Sequence, residues 1–198
     1  MRPTPLALVT LFAVVLCWLI HIGILLLRKR PPKASETKRD RLATLGIVLQ
    51  MCGYFLVWFQ PPGQPFLPPV AALAGIRGVV FSVFVIALAA GSSWLSESAI
   101  RTLGKQWALA ARLVKGHKLI TAGPYAYVRN PIYTAMLGML IATGLAIEHW
   151  AATIAAVIVF SAGMAIRVRS EEKLLRDAFG SDFEDYARRV PAVIPGIY

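Results

Sequence analysis

The chain has 198 residues, enough for one domain, but 57% of them are hydrophobic and only 16% charged, with a mean hydropathy of +0.62. A water-soluble domain of this size needs more polar surface, so the apolar excess must face lipid. The net charge of +11 does not signal nucleic acid: Lys and Arg fall in clusters between apolar stretches, as positive-inside topology and anionic headgroups produce, and no recognition motif accompanies them.

A helix needs about 20 mostly apolar residues to cross the hydrocarbon core, and five stretches qualify. The first runs from Pro5 to Leu27. Arg28-Lys29-Arg30 follows it with no Ala-x-Ala cleavage site, so it reads as an uncleaved anchor. The second runs from Leu42 to Phe59 and ends at Pro61-Pro62; the third lies within Val70 to Leu95. The fourth opens at Pro131 and runs to about Ile147, and the fifth extends from Trp150 to about Ile166, with Glu148-His149 as a tight turn between them.

Loop charge sets the orientation. Residues 28–41 carry seven Lys or Arg, 60–69 none, 96–130 six, 148–149 none, and the tail from Arg167 six. The positive-inside rule places the N-terminus outside, with the basic segments and the tail in the cytosol. Between the third and fourth spans, Ile100, Leu103, Trp107, Ala110 and Val114 recur at helical spacing, with Arg101, Lys105, Arg112 and Lys115 on other sides. This predicts an amphipathic helix in the cytosolic interface; a plain connecting helix is the alternative. The tail from Arg167 to Arg189 has helical periodicity as well.

The expectation is therefore an all-α polytopic membrane protein with five transmembrane helices, an interfacial helix and a cytosolic C-terminal helix. Three N-terminal helices occupy residues 1–95, and region 96–198 carries the polar chemistry. Cys17 and Cys52 lie in apolar stretches and make no metal-binding or disulfide pattern. His21, inside the first span, is expected to be packed or paired, and Arg77 to snorkel at the outer interface.

Two stretches carry candidate chemistry. In Gly123-Pro124-Tyr125-Ala126-Tyr127-Val128-Arg129-Asn130-Pro131-Ile132-Tyr133, Asn130 before Pro131 is a strong helix start. Its free N–H groups and dipole end, with Arg129 adjacent, suit an anion, and the tyrosines offer flat faces. A capped helix with an ordinary aromatic belt reads equally from these residues. In Arg167-Val168-Arg169-Ser170-Glu171-Glu172, four charges stand next to the membrane. They form either a self-neutralising surface cluster or the lining of a cavity where Glu accepts from a diol or ammonium. The last hairpin returns both stretches to one face, and the resulting pocket suits a zwitterionic, ribose-bearing ligand.

GPYAYVRNPIY, a hairpin of two spans, RVRSEEKLL and AFGSDFEDYARRVPAVIP, in that order, resemble the isoprenylcysteine carboxyl methyltransferase family and, more loosely, the related phospholipid N-methyltransferases. The resemblance covers roughly residues 100–198. It implies a methyltransferase-like region at 96–198 that uses S-adenosylmethionine without a Rossmann fingerprint. It implies Gly123, Tyr125, Arg129, Asn130, Pro131 and Tyr133 around the cofactor, with His117 and Leu119 closing over its adenosine. Glu172, with Glu171 beside it, would hold the polar end, and Arg167 would face the acceptor carboxylate, so that Arg167 and Glu172 are the catalytic pair. Tyr186, Arg189 and Pro191 would fasten the tail. The family often has His where this chain has Asn130, so a role needing a titrating imidazole is excluded there.

The implied reaction is methyl transfer to a carboxylate, of a prenylated cysteine or another lipidic acceptor, at the cytosolic face of the bilayer. No metal and no nucleic acid enter it. The alternatives are N-methylation of a phospholipid headgroup, which needs a base near a neutral amine, and a transporter or scaffold that keeps the pocket without turnover.

Overall fold

The computed structural model describes residues 4–27, 41–59, 75–107, 118–147 and 150–194. Regular structure among them is helical throughout: α1 (Pro5–Leu27), α2 (Arg41–Trp58), α3 (Ile76–Leu103), α4 (Pro131–Ile147), α5 (Trp150–Phe179) and α6 (Ser181–Arg189), with short 3₁₀ turns at Gly104–Gln106 and Gly123–Ala126. Three of these helices, α1, α3 and α5, are long and apolar enough to cross a membrane, while α2 and α4 are shorter apolar helices. Phe12 of α1, Phe55 of α2, Val83 of α3 and Ile158 of α5 are 60–70% exposed. So broad an apolar exterior identifies a lipid-facing surface.

The shortest apolar helix, α4, is central because it carries two apolar faces. On α4, Tyr133, Met136 and Leu140 pack with Val57 of α2 and Ala156, Phe160 and Met164 of α5. A second face, Met139, Ala142 and Ala146, packs with Val14 of α1 and Val85 and Ala89 of α3. Each set recurs at i, i+3, i+7, the helical period. Although consecutive, α1 and α2 meet through Trp18, whose ring packs edge-on against Tyr54 at 4.8 Å and Trp58 at 6.3 Å, while each also packs on α4.

The pairing of α2 with α5 depends on glycine. A Cβ at Gly163 would stand 2.6 Å from the Gly46 carbonyl oxygen and 3.0 Å from the Gln50 nitrogen, and one at Gly46 would stand 2.5 Å from Cγ of Arg167. Small residues let helix backbones approach in this way, and backbone obstacles cannot rotate aside. Gly163→Ala should therefore cost about 1–3 kcal/mol, read as a lower unfolding midpoint in detergent. At Gly91, where an added Cβ meets nothing within 4 Å, alanine should cost nothing.

Two boundaries differ from the sequence expectation. The third helix does not stop near Leu95; it runs to Leu103, so Ile100, Arg101 and Leu103 belong to its end and not to a separate interfacial helix. No Gly or Pro interrupts 92–103, and Glu97 pairs with Arg101 one turn on. Gly104, at φ 55°, ends the helix with its N–H on the Ile100 carbonyl, a backbone that residues with a Cβ resist. Trp107 is then extended; Ala110, Arg112, Val114 and Lys115 lie outside the described residues. Likewise α5 continues without a break through Arg167–Glu172 to Phe179, a run of good helix formers. At about 1.5 Å per residue its 30 residues reach about 45 Å, well beyond the ~30 Å hydrocarbon core. Arg77, at the start of α3, is exposed.

Candidate active site

A cavity of about 520 Å³ opens among α1, α2, α4, α5 and α6, within the usual size of small-molecule sites, about 300–1,000 Å³. Its walls divide by chemistry. One end is polar: Gln106, Lys118, Tyr125, Arg129, Asn130, Arg167, Glu171, Glu172 and Tyr186. Apolar side chains line the cavity as well, among them Ile22, Leu25 and Leu26 of α1 and Ile47 and Met51 of α2.

Two ion pairs organise the polar end. Arg129 Nε donates to Glu172 Oε1 at 2.8 Å, with side chains only 9% and 13% exposed. The Asn130 amide makes a long bond of 3.4 Å to the same oxygen. On α5, Arg167 Nη2 stands 3.5 Å from Glu171 Oε1, one turn away, and the Tyr133 hydroxyl donates to that oxygen from α4. The Arg167 guanidinium lies over the Tyr133 ring, 4.9 Å from its centroid, a favourable cation–π placement. Its Nη1 donates to Gln50 Oε1 of α2 at 3.0 Å. The four charges cancel in pairs, which is how buried charge is tolerated. Each carboxylate meets these partners through Oε1, so among the described residues both Oε2 atoms remain for a ligand.

The chain's end is strapped across this corner. Arg129 Nη1 donates to the carbonyls of Ala187, at 2.8 Å, and Val190. The backbone N–H of Arg129 donates to Pro191 O at 2.9 Å, and that of Asn130 to Ala192 O at 3.0 Å. The Asn130 side chain donates to Ala192 O at 3.0 Å, and Thr134 Oγ1 to Val193 O. The Tyr186 hydroxyl donates to Tyr125 O at 2.6 Å. Burial pushes the Tyr186 hydroxyl up to about 12, with Arg129 opposing and Glu172 reinforcing the shift. Burial also raises Tyr125, helped by the charges of Glu171 and Tyr186. Both hydroxyls therefore stay protonated donors at neutral pH.

The strap occupies the N–H groups of Arg129 and Asn130, just before α4, with tail carbonyls, and the guanidinium of Arg129 is held by Glu172 and two carbonyls. Asn130 stands just before α4, its carbonyl accepting from Tyr133 and Thr134, while its side-chain amide turns to the strap. Among the described residues Arg189 bonds only Asp185 O, locally, whereas Arg129 holds the tail carbonyls.

Of the residues singled out in the sequence, Leu119, Tyr125, Arg129, Asn130, Tyr133, Arg167, Glu171 and Glu172 line the one cavity. Gly123 and Pro131 shape the backbone beside it: Gly123 has φ 61° and would press a Cβ against Thr102 Oγ1 at 2.9 Å, and Pro131 opens α4. Tyr127 points outward, 75% exposed. His117 lies outside the described residues. Gln50 went unremarked in the sequence, although an amide inside an otherwise apolar span was a signal. So did Gln106, whose side chain clips the loop before the site by accepting from Lys118 N and donating to Lys118 O at 3.3 Å. Among the described residues no three His, Cys, Asp or Glu side chains gather to hold a metal ion.

The sequence profile of the phospholipid methyltransferase family matches residues 80–182, a segment that contains α4, both ion pairs and all of α5. The chain belongs to this family. Its similarity extends to individual proteins. It is 34% identical over 138 residues to the nickel-cobalt-cadmium resistance protein NccN of Alcaligenes xylosoxydans xylosoxydans, covering 61% of this chain and 63% of that protein. It is 34% identical over 97 residues to the cobalt-zinc-cadmium resistance protein CzcN of Cupriavidus metallidurans, covering 48% and 44%. To the protein-S-isoprenylcysteine O-methyltransferase of Schizosaccharomyces pombe it is 31% identical over 104 residues, covering 52% and 44%. The matches thus span about half the length of these relatives, up to 63%. The resemblance to isoprenylcysteine methyltransferases seen in the motifs is borne out by this last relative, and the phospholipid branch by the family profile.

Proposed function

We propose that the chain is an integral membrane methyltransferase that uses S-adenosylmethionine to methylate the carboxylate of a prenylcysteine-like or other lipidic acceptor. In this reading all five apolar helices cross the bilayer, the N-terminus is outside, and the polar end of the cavity faces the cytosol, following the alternation of basic and neutral loops. The observation that carries the reading is one cavity lined both by a cluster of paired charges and by lipid-like side chains.

When bound, S-adenosylmethionine would supply an electrophilic methyl group on a sulfonium, a donor from which an ionised carboxylate can take the methyl with no proton to move and with a neutral thioether as the leaving group. The chain's residues fit such a cofactor: two carboxylates, each with an oxygen to spare, suit an ammonium and ribose hydroxyls, and Tyr125 offers a ring. Glu172, seconded by Glu171, holds the polar end, and Leu119 packs on the base. Arg167 orients the acceptor carboxylate, with Gln50 fixing the guanidinium from α2. A carboxylate is already ionised near pH 7, so the work of these groups is positioning. The lipid chain of the acceptor would lie against the apolar side chains that α1 and α2 give to the cavity, Ile22, Leu25, Leu26, Ile47 and Met51. N-methylation of a headgroup amine, the activity named by the family, places Arg167 beside an amine and so fits less well.

The test is calorimetric binding of S-adenosylmethionine to the purified protein in detergent, followed by transfer of labelled methyl to farnesylcysteine-type carboxylates and to phosphatidylethanolamine. Binding with transfer to the carboxylate alone is expected. Transfer to the amine alone would move the assignment to the headgroup reaction, and absence of binding would end both and leave a non-catalytic role.

A further inference from the structure

The outer face of α5 runs unbroken from apolar residues into charge. Ile154, Ile158, Ala162 and Ala165 are exposed and recur every three or four residues, and Arg169 and Lys173 continue the same exposed stripe. Trp150, 52% exposed at the start of α5, suits one membrane interface. From there about 20 residues, at ~1.5 Å each, cross the ~30 Å hydrocarbon core and end near Ser170. Arg169 therefore reaches the headgroup layer at the far boundary, and Lys173 stands one turn beyond it. Their lack of partners sets these two cations apart. Arg101, Arg129, Arg167, Arg176 and Arg188 each have a carboxylate. Among the described residues neither Arg169 nor Lys173 has an ion pair or a side-chain hydrogen bond. Glu171 and Glu172, beside them in the sequence, turn instead to Arg167 and Arg129. Like charges one turn apart on a helix repel, so an anion between them is stabilising.

We propose that Arg169 and Lys173 bind the phosphate of an anionic phospholipid whose acyl chains lie along Ile154, Ile158 and Ala165. This rests on α5 crossing the bilayer, as read above, and not on the reaction. Residues four apart on a helix have Cβ atoms about 5–6 Å from each other, close enough to share one phosphate. The guanidinium forks onto two of its oxygens, and the ammonium adds a point charge. A free phosphate offers the same oxygens but nothing for the apolar stripe, so the occupant is a lipid. Held in this way, α5 is fixed in depth, and with it Arg167, Glu171 and Glu172 on its cavity side.

The experiment titrates phosphatidylglycerol into the full chain in neutral-detergent micelles and measures bound lipid by native mass spectrometry. The parent protein should bind it in preference to phosphatidylcholine, whose choline cancels the phosphate charge. Arg169→Gln and Lys173→Gln should each weaken binding about fivefold, and the double variant about thirtyfold. Lys105→Gln removes another exposed cation with no ion pair among the described residues and should leave binding unchanged. All three positions are exposed, so unfolding midpoints should match the parent. An equal loss in Lys105→Gln, or a parent protein indifferent between the two lipids, reduces the pair to diffuse attraction and overturns the proposal. So does displacement of the lipid by an equal concentration of glycerol phosphate, which marks a free-phosphate site. No methyl donor or acceptor is present, so failure here leaves the methyltransferase reading standing, and failure of that reading leaves the lipid site.

Discussion

Glu172→Ala is expected to abolish S-adenosylmethionine binding and to cost about 3–5 kcal/mol of stability, the usual penalty for leaving a buried charge unpaired. The stranded charge is Arg129, whose side chain is 9% exposed. Because Arg129 also holds the carbonyls of Ala187 and Val190, the strap at the chain's end should loosen with it. Two further variants separate binding from folding. Glu172→Gln keeps an oxygen for Arg129 and Asn130 but not the charge, so it should fold while binding the cofactor about 10- to 100-fold more weakly. The double variant Glu172→Ala with Arg129→Ala removes both charges; it should recover part of the lost stability without regaining affinity. Calorimetry with unfolding midpoints of the ligand-free protein in detergent distinguishes these effects. Parent-like affinity in Glu172→Ala would remove the carboxylate from the cofactor site.

The apolar helices and the polar corner were legible in the sequence because their signals are local. Pro131 after Asn130 marks the start of α4, and an apolar stretch of fixed length marks each helix. What the sequence could not supply were relations across the fold. Nothing near Arg129 indicated that carbonyls from residues 187 and 190 would take its guanidinium. The stop of α3 was misplaced because the apolar run ends near Leu95 while the helix does not: Ser96–Leu103 holds its backbone bonds regardless of polarity, and only Gly104 ends it. The role of α2 was hidden for the same reason. Gly46 is unremarkable in an apolar helix, and Gln50 is an amide without a visible partner, until α5 lies against them and Arg167 fills the space a Cβ at Gly46 would occupy.

That placement makes Arg167→Ala the complementary experiment. The guanidinium is fixed on three sides, by Gln50 Oε1 at 3.0 Å, Glu171 Oε1 at 3.5 Å and the Tyr133 ring at 4.9 Å. If it orients the acceptor carboxylate, its loss should lower kcat/KM for the acceptor about 10²-fold, as misplacement of a reacting group does. Cofactor affinity should fall far less than in Glu172→Ala, since Glu171 keeps the Tyr133 hydroxyl as a partner. Arg167→Lys should not rescue the acceptor step, because an ammonium cannot reach Gln50 and Glu171 through separate donors in one plane. Gln50→Leu adds a test free of any change in charge: it leaves Arg167 present and paired with Glu171 but removes the bond from α2. An acceptor KM raised severalfold at unchanged cofactor affinity is expected. If Gln50→Leu matches the parent enzyme while Arg167→Ala loses cofactor binding outright, the guanidinium serves the cofactor side, and acceptor orientation must come from elsewhere in the cavity.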